Sequence, residues 1–268
     1  MLLSIIIANY KNPALLRLCL KTVKRELGRD FDYETIVIDS ASQPETRNVV
    51  THEFPDFKLL AFKENLGYTR GNNEGIKISA GEYVLILNSD VVLDRKNMEA
   101  LLKYMTANPD IGMAGPKLLN FDGSKQDSCF RYYTPLTILH RRIAHLPFAK
   151  KTIDRFLMRN VPLDKPFSVD WLMGSACLVS RQAIEKVGLM DEKLFLYFSD
   201  VDWARRFWEN GYKVVYYPES VMYHHLHRNS KGRLGILDAF FKRESRWHIA
   251  DAIRYFKKWG ISTPPSRT

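Results

Sequence analysis

A chain of 268 residues, 46% hydrophobic and 26% charged, holds one large α/β domain or two small ones and has ample apolar material for a core. Three scattered cysteines, Cys19, Cys129 and Cys177, form no CxxC pair and no metal-finger spacing, which argues against a disulfide scaffold and for a reducing compartment. The formal charge of +10 calls for an anionic partner and leaves nucleic acid, a phosphorylated substrate and an anionic membrane surface open.

The opening MLLSIIIANY is apolar but short, with no basic flank and no small-residue cleavage site. It reads as a first strand, Leu2 to Ala8, and not as a signal peptide. No stretch approaches about 20 apolar residues, so none reads as a membrane span. Asn12 followed by Pro13 gives an N-cap and a first helical position, and Leu16, Cys19, Leu20, Val23 and Leu27 recur at helical spacing. Glu34 to Ile38 is a second strand ending at Asp39. Turn residues and a short helical pattern follow over Ser42 to Val50, and Phe57 to Phe62 is a third strand. Strands alternating with helices predict a doubly wound, mostly parallel sheet.

Asn65 to Gly75 is a polar, glycine-bearing connection between a strand and a helix running to about Ala80. It is neither GxGxxG nor a Walker loop. Tyr83 to Leu87 is an unbroken apolar run, suited to a central strand buried on both faces, and it stops at Asn88, Ser89 and Asp90. A carboxylate at the carboxyl end of a central strand stands where open α/β sheets bind ligands. Asp94 caps a helix through Met98, Leu101, Leu102 and Met105. Ile111 to Ala114 is a strand, and Asp122-Gly123 is a turn signal. From Arg131 to Lys165 the chain is basic, and irregular helical structure is expected there. Order returns over Val169 to Val179, followed by a helix from Ser180 to Gly188. A further helix carries Trp203 and Phe207 and ends at Gly211. Tyr212 to Tyr217 and Val221 to His225 read as two short strands.

About Leu234 to Trp259 reads as an amphipathic helix, with Leu237, Phe241, His248, Ala252, Phe256 and Trp259 on one stripe. Lys242, Arg243, Arg246, Arg254, Lys257 and Lys258 lie mainly elsewhere. An aromatic stripe beside clustered cations suits peripheral contact with an anionic membrane, and the competing expectation is a stripe packed on the domain. Asp39, Asp90, Asp200 with Asp202, and His224 with His225 all fall at strand ends or helix starts. Carboxylates and imidazoles at such open positions suit a divalent metal bound together with phosphate oxygens.

The stretches SIIIANYKN, IVIDSAS, ENLGYTRGNNEGI, ILNSDV, WLMGSACLVSR, VGLMDEKLFLYFSDVDWARR and VMYHHLHRNS occur in order. Together they resemble the family-two glycosyltransferases of GT-A fold, and within them the rhamnosyltransferase-like branch, over nearly the whole chain. The resemblance implies a Rossmann-like α/β domain over residues 1–230, with a nucleotide-binding half (1–95), an acceptor half (96–230) and a basic helical segment (231–268). It implies that Asp39 contacts the nucleotide base, with Ala8, Asn9 and Tyr10 lining that end. Asn65, Gly67, Arg70, Gly71 and Asn72 border the nucleotide sugar. Asn88-Ser89-Asp90 is the DxD variant, with Asp90 as retained ligand to Mg²⁺ or Mn²⁺ and His225 completing the metal site. Trp171, Gly174, Ser175, Ala176 and Asp202 lie near the donor sugar and acceptor, Ser230 near the diphosphate, and Asp200 is the general base.

Asn88 replaces the first Asp of DxD, and Ser199 replaces the Glu that usually precedes the base. A serine caps a helix but contributes no charge. The expected reaction is inverting transfer from a nucleotide-diphosphate sugar, dTDP-rhamnose before UDP-sugars, to a hydroxyl of a cell-envelope glycan or lipid-linked acceptor. The expected location is cytoplasmic, peripheral on the inner face of the membrane. A nucleotidylyltransferase would need a glycine-rich basic loop after the first strand, and ANYKNPALL offers only Lys11. A non-catalytic membrane or nucleic-acid module would leave the acidic strand ends without purpose, so no nucleic-acid partner is expected.

Overall fold

In a computed structural model, residues 1–225 and 242–262 are described. The expected Ser230, Leu237 and Phe241 lie outside the described residues. The chain runs β1 (Leu3–Tyr10), α1 (Pro13–Leu27), β2 (Tyr33–Ser40), α2 (Pro44–Asn48) with a π-helical turn (Val49–Glu53), β3 (Lys58–Ala61), α3 (Gly67–Ile78), β4 (Tyr83–Asn88), β5 (Val91–Val92), α4 (Arg95–Ala107) and β6 (Ile111–Leu119). It continues through β7 (Cys129–Phe130), α5 (Pro135–Arg142), a 3₁₀ turn (Pro147–Ala149), α6 (Lys150–Phe156), β8 (Phe167–Ser168), β9 (Trp171–Leu172), β10 (Ala176–Ser180), α7 (Arg181–Val187), α8 (Ser199–Glu209), β11 (Lys213–His224) and α9 (Arg243–Trp259).

The main sheet has the order β3-β2-β1-β4-β10-β6-β11-β5, with β8 on β11. Its first four strands are parallel. β10 then runs antiparallel to both β4 and β6, so the sheet is mixed beyond β4. Alternation along β1 divides the core. Leu3, Ile5 and Ile7 pack with Leu16, Leu20 and Val23 of α1 and Met98 and Leu101 of α4. Ile6 faces the opposite side, with Ile36, Ile38, Ile86, Trp203, Phe207 and Tyr255. The predicted caps form: the Asn12 side chain accepts from Leu15 N at 3.2 Å, and Asp94 from Asn97 N at 3.0 Å. The two short strands predicted over 212–225 are one strand, β11, whose register shifts between Tyr217 and Val221. Pro218 lies in that interval and has no N–H to give the ladder.

The described part of the C-terminal stripe packs against the domain at some of its positions, while His248, Ala252 and Phe256 also line an open groove. His248 lies against Tyr197 and Phe198, and Phe256 also meets Phe198. The Trp259 indole donates to Asp202 at 2.7 Å. Asp251, fully buried on α9, accepts the backbone N–H groups of Phe195, Leu196 and Tyr197 at 3.2, 3.0 and 3.1 Å. The helix is therefore built into the wall formed by the 195–198 segment and the start of α8.

Candidate active site

Strand register gathers the donor-side residues at one edge. Ala8 pairs with Asn88, and Asn9 with Asp39, so β1, β2 and β4 end together. Asp39 is fully buried; its Oδ1 accepts from Asn9 Nδ2 at 2.9 Å, while its Oδ2 and the Asn9 Oδ1 have no partner among the described residues. Buried acceptors left in this state favour a ligand that brings N–H donors. Tyr10, at the exposed rim, is followed by Lys11 at φ 52°, a left-handed turn away from the sheet.

The Asn65 carboxamide accepts from Gly67 N at 3.0 Å and turns the chain into α3. Gly67 has φ 71°, and a Cβ there would lie 2.4 Å from the Phe195 carbonyl oxygen, so only glycine fits. Gly71 packs over Ile38 and Ser40, where a Cβ would make ordinary contact. Asn72 is buried, donating to Tyr68 O at 2.9 Å with Oδ1 unpaired. Arg70 is exposed and pairs with Glu64 at 3.1 Å.

The end of β4 meets the start of β10. Asn88 N donates to Ser175 O at 2.9 Å, and Asn88 Nδ2 lies 3.4 Å from Ser175 Oγ. Position 88 thus links laterally to Gly174-Ser175-Ala176, mainly through its backbone N–H. Ser89 and Asp90 follow at the half-buried lip. Asp90 Oδ1 is buried without a hydrogen-bond partner among the described residues, and His224 Nε2 stands 3.4 Å from it. The imidazole is oriented from behind: its Nδ1 is 2.8 Å from Gln126 Oε1, and Gln126 Nε2 donates to the His224 carbonyl at 2.7 Å.

The imidazole 3.4 Å from the Asp90 carboxylate is that of His224, the neighbour of the His225 that the resemblance offers for the metal site. Alternation on β11 turns His224 inward. His225 lies just past the strand end, donating its backbone N–H to Asp90 O at 2.9 Å and laying its ring against Phe121. A carboxylate oxygen free of protein donors beside an oriented imidazole fits a hard divalent cation. No three His, Cys, Asp or Glu converge among the described residues, so the other ligands would come from a bound anion and water. Gln126 carries no motif that sequence reasoning could use.

Asp200 lies across the β4–β10 junction, against Gly174. It sits in the first turn of α8, where its Oδ1 accepts from Val201 N at 2.9 Å and its Oδ2 from Gly174 N at 3.3 Å. Dense packing pushes its carboxyl up to about 6, against the smaller opposing effect of the backbone donors, while part of its surface stays open. Phe198, immediately before the helix, is left-handed at φ 62° and is wedged by Tyr133, His248 and Tyr255. A bulky residue in that region carries strain that packing must offset. Ser199 does not cap the helix; it is buried with Oγ unpaired. Gly174 admits the Tyr68 hydroxyl, which donates to its carbonyl at 2.6 Å, and a Cβ there would lie 2.3 Å from that hydroxyl oxygen.

Two residues expected at the acceptor have other work. Asp202 is 0% exposed and is bound by Arg206 at 3.1 Å, Lys258 at 2.8 Å and Trp259 at 2.7 Å, so no acceptor reaches it. Residues two apart on a helix face different ways, which sends Asp202 into the protein when Asp200 lines the cleft. Trp171 is buried, stacked on Phe130 and donating its indole N–H to Arg131 O at 2.8 Å, and it supports the site from beneath.

The profile of glycosyl transferase family 2 matches residues 4–187. The N-acetylglucosaminyl-diphospho-decaprenol L-rhamnosyltransferase of Mycobacterium tuberculosis is 32% identical over 214 residues, 74% of this chain and 68% of that protein. The dTDP-rhamnosyl transferase RfbF of Shigella flexneri is 26% identical over 169 residues, 62% of this chain and 51% of that one. Among solved structures, the mannosyltransferase PcManGT of Pyrobaculum calidifontis, in complex with GDP-Man and Mn²⁺, superposes with TM-score 0.58 at 19% identity, over 94% of this chain and 64% of that one. GalNAc-T7 with UDP, GalNAc and Mn²⁺ gives 0.65 at 14% identity, over 84% and 43%. These two share the fold. With more than half its length under the family profile and a rhamnosyltransferase relative at 32% identity, the chain belongs to glycosyl transferase family 2, as a rhamnosyltransferase-like glycosyltransferase.

Proposed function

We propose that the protein transfers a sugar, with inversion, from a nucleoside-diphosphate donor to a hydroxyl of a lipid-linked or cell-envelope glycan acceptor. Residues 1–95 bind the nucleotide and residues 96–230 the acceptor. Two relatives named as rhamnosyltransferases, one of them for dTDP-rhamnose, favour that donor over UDP-sugars. The observation that carries the reading is the pair of contrasting carboxylates on opposite sides of the β4–β10 junction. Asp90 has a bare oxygen beside an imidazole, whereas Asp200 is held by two backbone donors and has its proton affinity raised.

In the proposed reaction the Asp39 Oδ2 takes an N–H from the base, and Asn72 and the Gly67–Gly71 turn border the sugar of the nucleotide. Asp90 and His224 would hold a divalent cation, Mg²⁺ or Mn²⁺, which when bound supplies Lewis-acid neutralisation of the departing diphosphate. Asp200 accepts the proton of the acceptor hydroxyl as its oxygen attacks the anomeric carbon from the face opposite the diphosphate. A carboxylate poised near 6 is a stronger base than an ordinary aspartate yet remains ionised at neutral pH. The Gly174 contact fixes Asp200 against the turn that lines the donor sugar, which orients both reactants. Incubating the protein with dTDP-rhamnose and several UDP- and GDP-sugars, with Mn²⁺, Mg²⁺ or EDTA, and following nucleotide release and product anomer tests it. A retained anomeric configuration, or no turnover of any donor, would refute the reading.

A further inference from the structure

α5 and α9 lie side by side and leave an open groove of about 440 Å³ between them, walled by Ile138, Ile249, Ala252, Ile253 and Phe256. His248 completes the wall. Burial and the neighbouring Arg142 and Arg141 push its imidazole down to about 4, so it is neutral at physiological pH. Within the groove wall Ile253 is 53% exposed, and on the other side of α5 more apolar surface is exposed at Leu136 (52%) and Phe148 (64%). Phe148 leans on His140 of α5 at 5.6 Å. Single exposed hydrophobes need no explanation, but a groove with protruding neighbours on two adjoining elements does.

The charges around it are mainly positive, although Arg254 pairs with Asp251 at 2.9 Å. Residues 135–151 contain Arg141, Arg142, Lys150 and Lys151 and no Asp or Glu. Across the groove α9 exposes Arg246, Arg254 and Lys257. Its Asp251 is buried against the 195–197 backbone, and its remaining acid is Glu244. An apolar ridge set in a field of cations matches a lipid surface of negative charge, with side chains entering the acyl boundary and cations at the headgroups. The groove also lies beside the catalytic centre, since its His248 packs at 5.3 Å on Phe198, just before α8 and Asp200.

We infer that the α5–α9 face is a membrane-docking surface that seats the protein on an anionic phospholipid bilayer. It shares His248, Ala252 and Phe256 with the α9 stripe, whereas Trp259 of that stripe packs into the domain against Asp202. On the reading of Asp200 as base, this orientation presents the acceptor cleft to hydroxyls held at the membrane surface. The docking itself does not depend on that reading, because vesicle binding is measured without donor or acceptor.

The test is flotation of the full chain with vesicles of phosphatidylcholine alone and of phosphatidylcholine with phosphatidylglycerol. Binding should require the anionic lipid and weaken with salt. Leu136→Glu with Ile253→Glu should lower it at least tenfold, and each of Lys150→Gln, Lys151→Gln and Lys257→Gln about fivefold, corresponding to about 1 kcal/mol per basic residue. Ile78→Glu, an exposed hydrophobe on α3, should leave it unchanged. Donor hydrolysis in the absence of lipid should be equal in all variants, which separates failure of docking from failure of the enzymatic reading. Equal binding to neutral vesicles, no binding at all, or loss of self-association and not of vesicle binding in Leu136→Glu with Ile253→Glu would overturn the proposal. The last outcome would make the face a contact between copies of the chain.

Discussion

Replacing Asp200 with Asn should make the protein more stable and much less active. Burial raises the Asp200 carboxyl from 3.8 to about 6, which means the folded state disfavours its ionised form. A shift of this size corresponds to about 3 kcal/mol, and water reaching the open side of the residue reduces that to about 1–3 kcal/mol. For a folded value raised above the unfolded one, the penalty is complete above about pH 6 and disappears as pH falls below the unfolded value. Asn keeps an oxygen for the Val201 N–H and carries no charge. Asp200→Asn should therefore gain about 1–3 kcal/mol in urea unfolding at about pH 8, with the gain gone at about pH 4. Turnover should fall by about 10²–10⁴, because the amide cannot accept the hydroxyl proton, while donor binding stays nearly unchanged. Wild-type kcat/KM should decline below about pH 6, as protonation removes the base. Equal stability of the two proteins at all pH values would refute the account of the buried carboxylate. Retained turnover in the variant would refute its role as base.

Asp90→Ala should abolish metal-dependent transfer and weaken Mn²⁺ binding in calorimetry by at least tenfold while unfolding in urea like wild type, since the Oδ1 it removes is buried without a hydrogen bond. Full activity of this variant in EDTA would end the metal reading. Asp202→Ala leaves Arg206 and Lys258 without their buried acceptor and should cost about 3 kcal/mol in denaturation; Asp202→Asn should slow turnover far less than Asp200→Asn. Asp251→Ala removes the acceptor of three backbone N–H groups and should cost about 3–5 kcal/mol or, if only the 195–197 segment loosens, appear as amide exchange there together with lower kcat. Gly67→Ala forces a Cβ onto the Phe195 carbonyl at a positive φ and should destabilise by about 1–3 kcal/mol, read as a lowered thermal midpoint.

The parts of the fold legible in the sequence are those where local chemistry and burial agree. Asn12-Pro13 and Asp94 announce their helices because capping is decided within a few residues. β1, β2 and β4 are readable because strands buried on both faces are apolar without a break. The antiparallel insertion of β10 between β4 and β6 was not readable, since Ala176–Ser180 is apolar in either direction and its pairing is set by long-range contact. β11 was divided at Pro218, because a missing N–H ends a strand in a local reading while the sheet absorbs it as an irregularity. Residues 131–165 have no single period because they form short helices whose inner sides meet the Trp171 cluster, with cations outside.

At the site, the sequence marks residues whose chemistry is unusual for their position, such as a carboxylate after a buried strand or a glycine before a helix. It does not mark residues that act by holding others. Asp202 and Asp200 differ by two positions and share a residue type, and only the arrival of Arg206, Lys258 and Trp259 shows which one is structural. His224 and His225 are separated in the same way by strand alternation and by Gln126, nearly a hundred residues earlier in the chain. Segment 195–198 is the sharpest case. Its Phe195 carbonyl receives Tyr68 N at 3.0 Å, its backbone N–H groups are held by Asp251, and its Phe198 leads into α8. The turn lining the proposed donor pocket, the C-terminal helix and the carboxylate proposed as base thus share one short strap. A change in any of the three alters the placement of the others, so substitutions at Gly67, Asp251 and Phe198 should be non-additive even where their side chains do not touch.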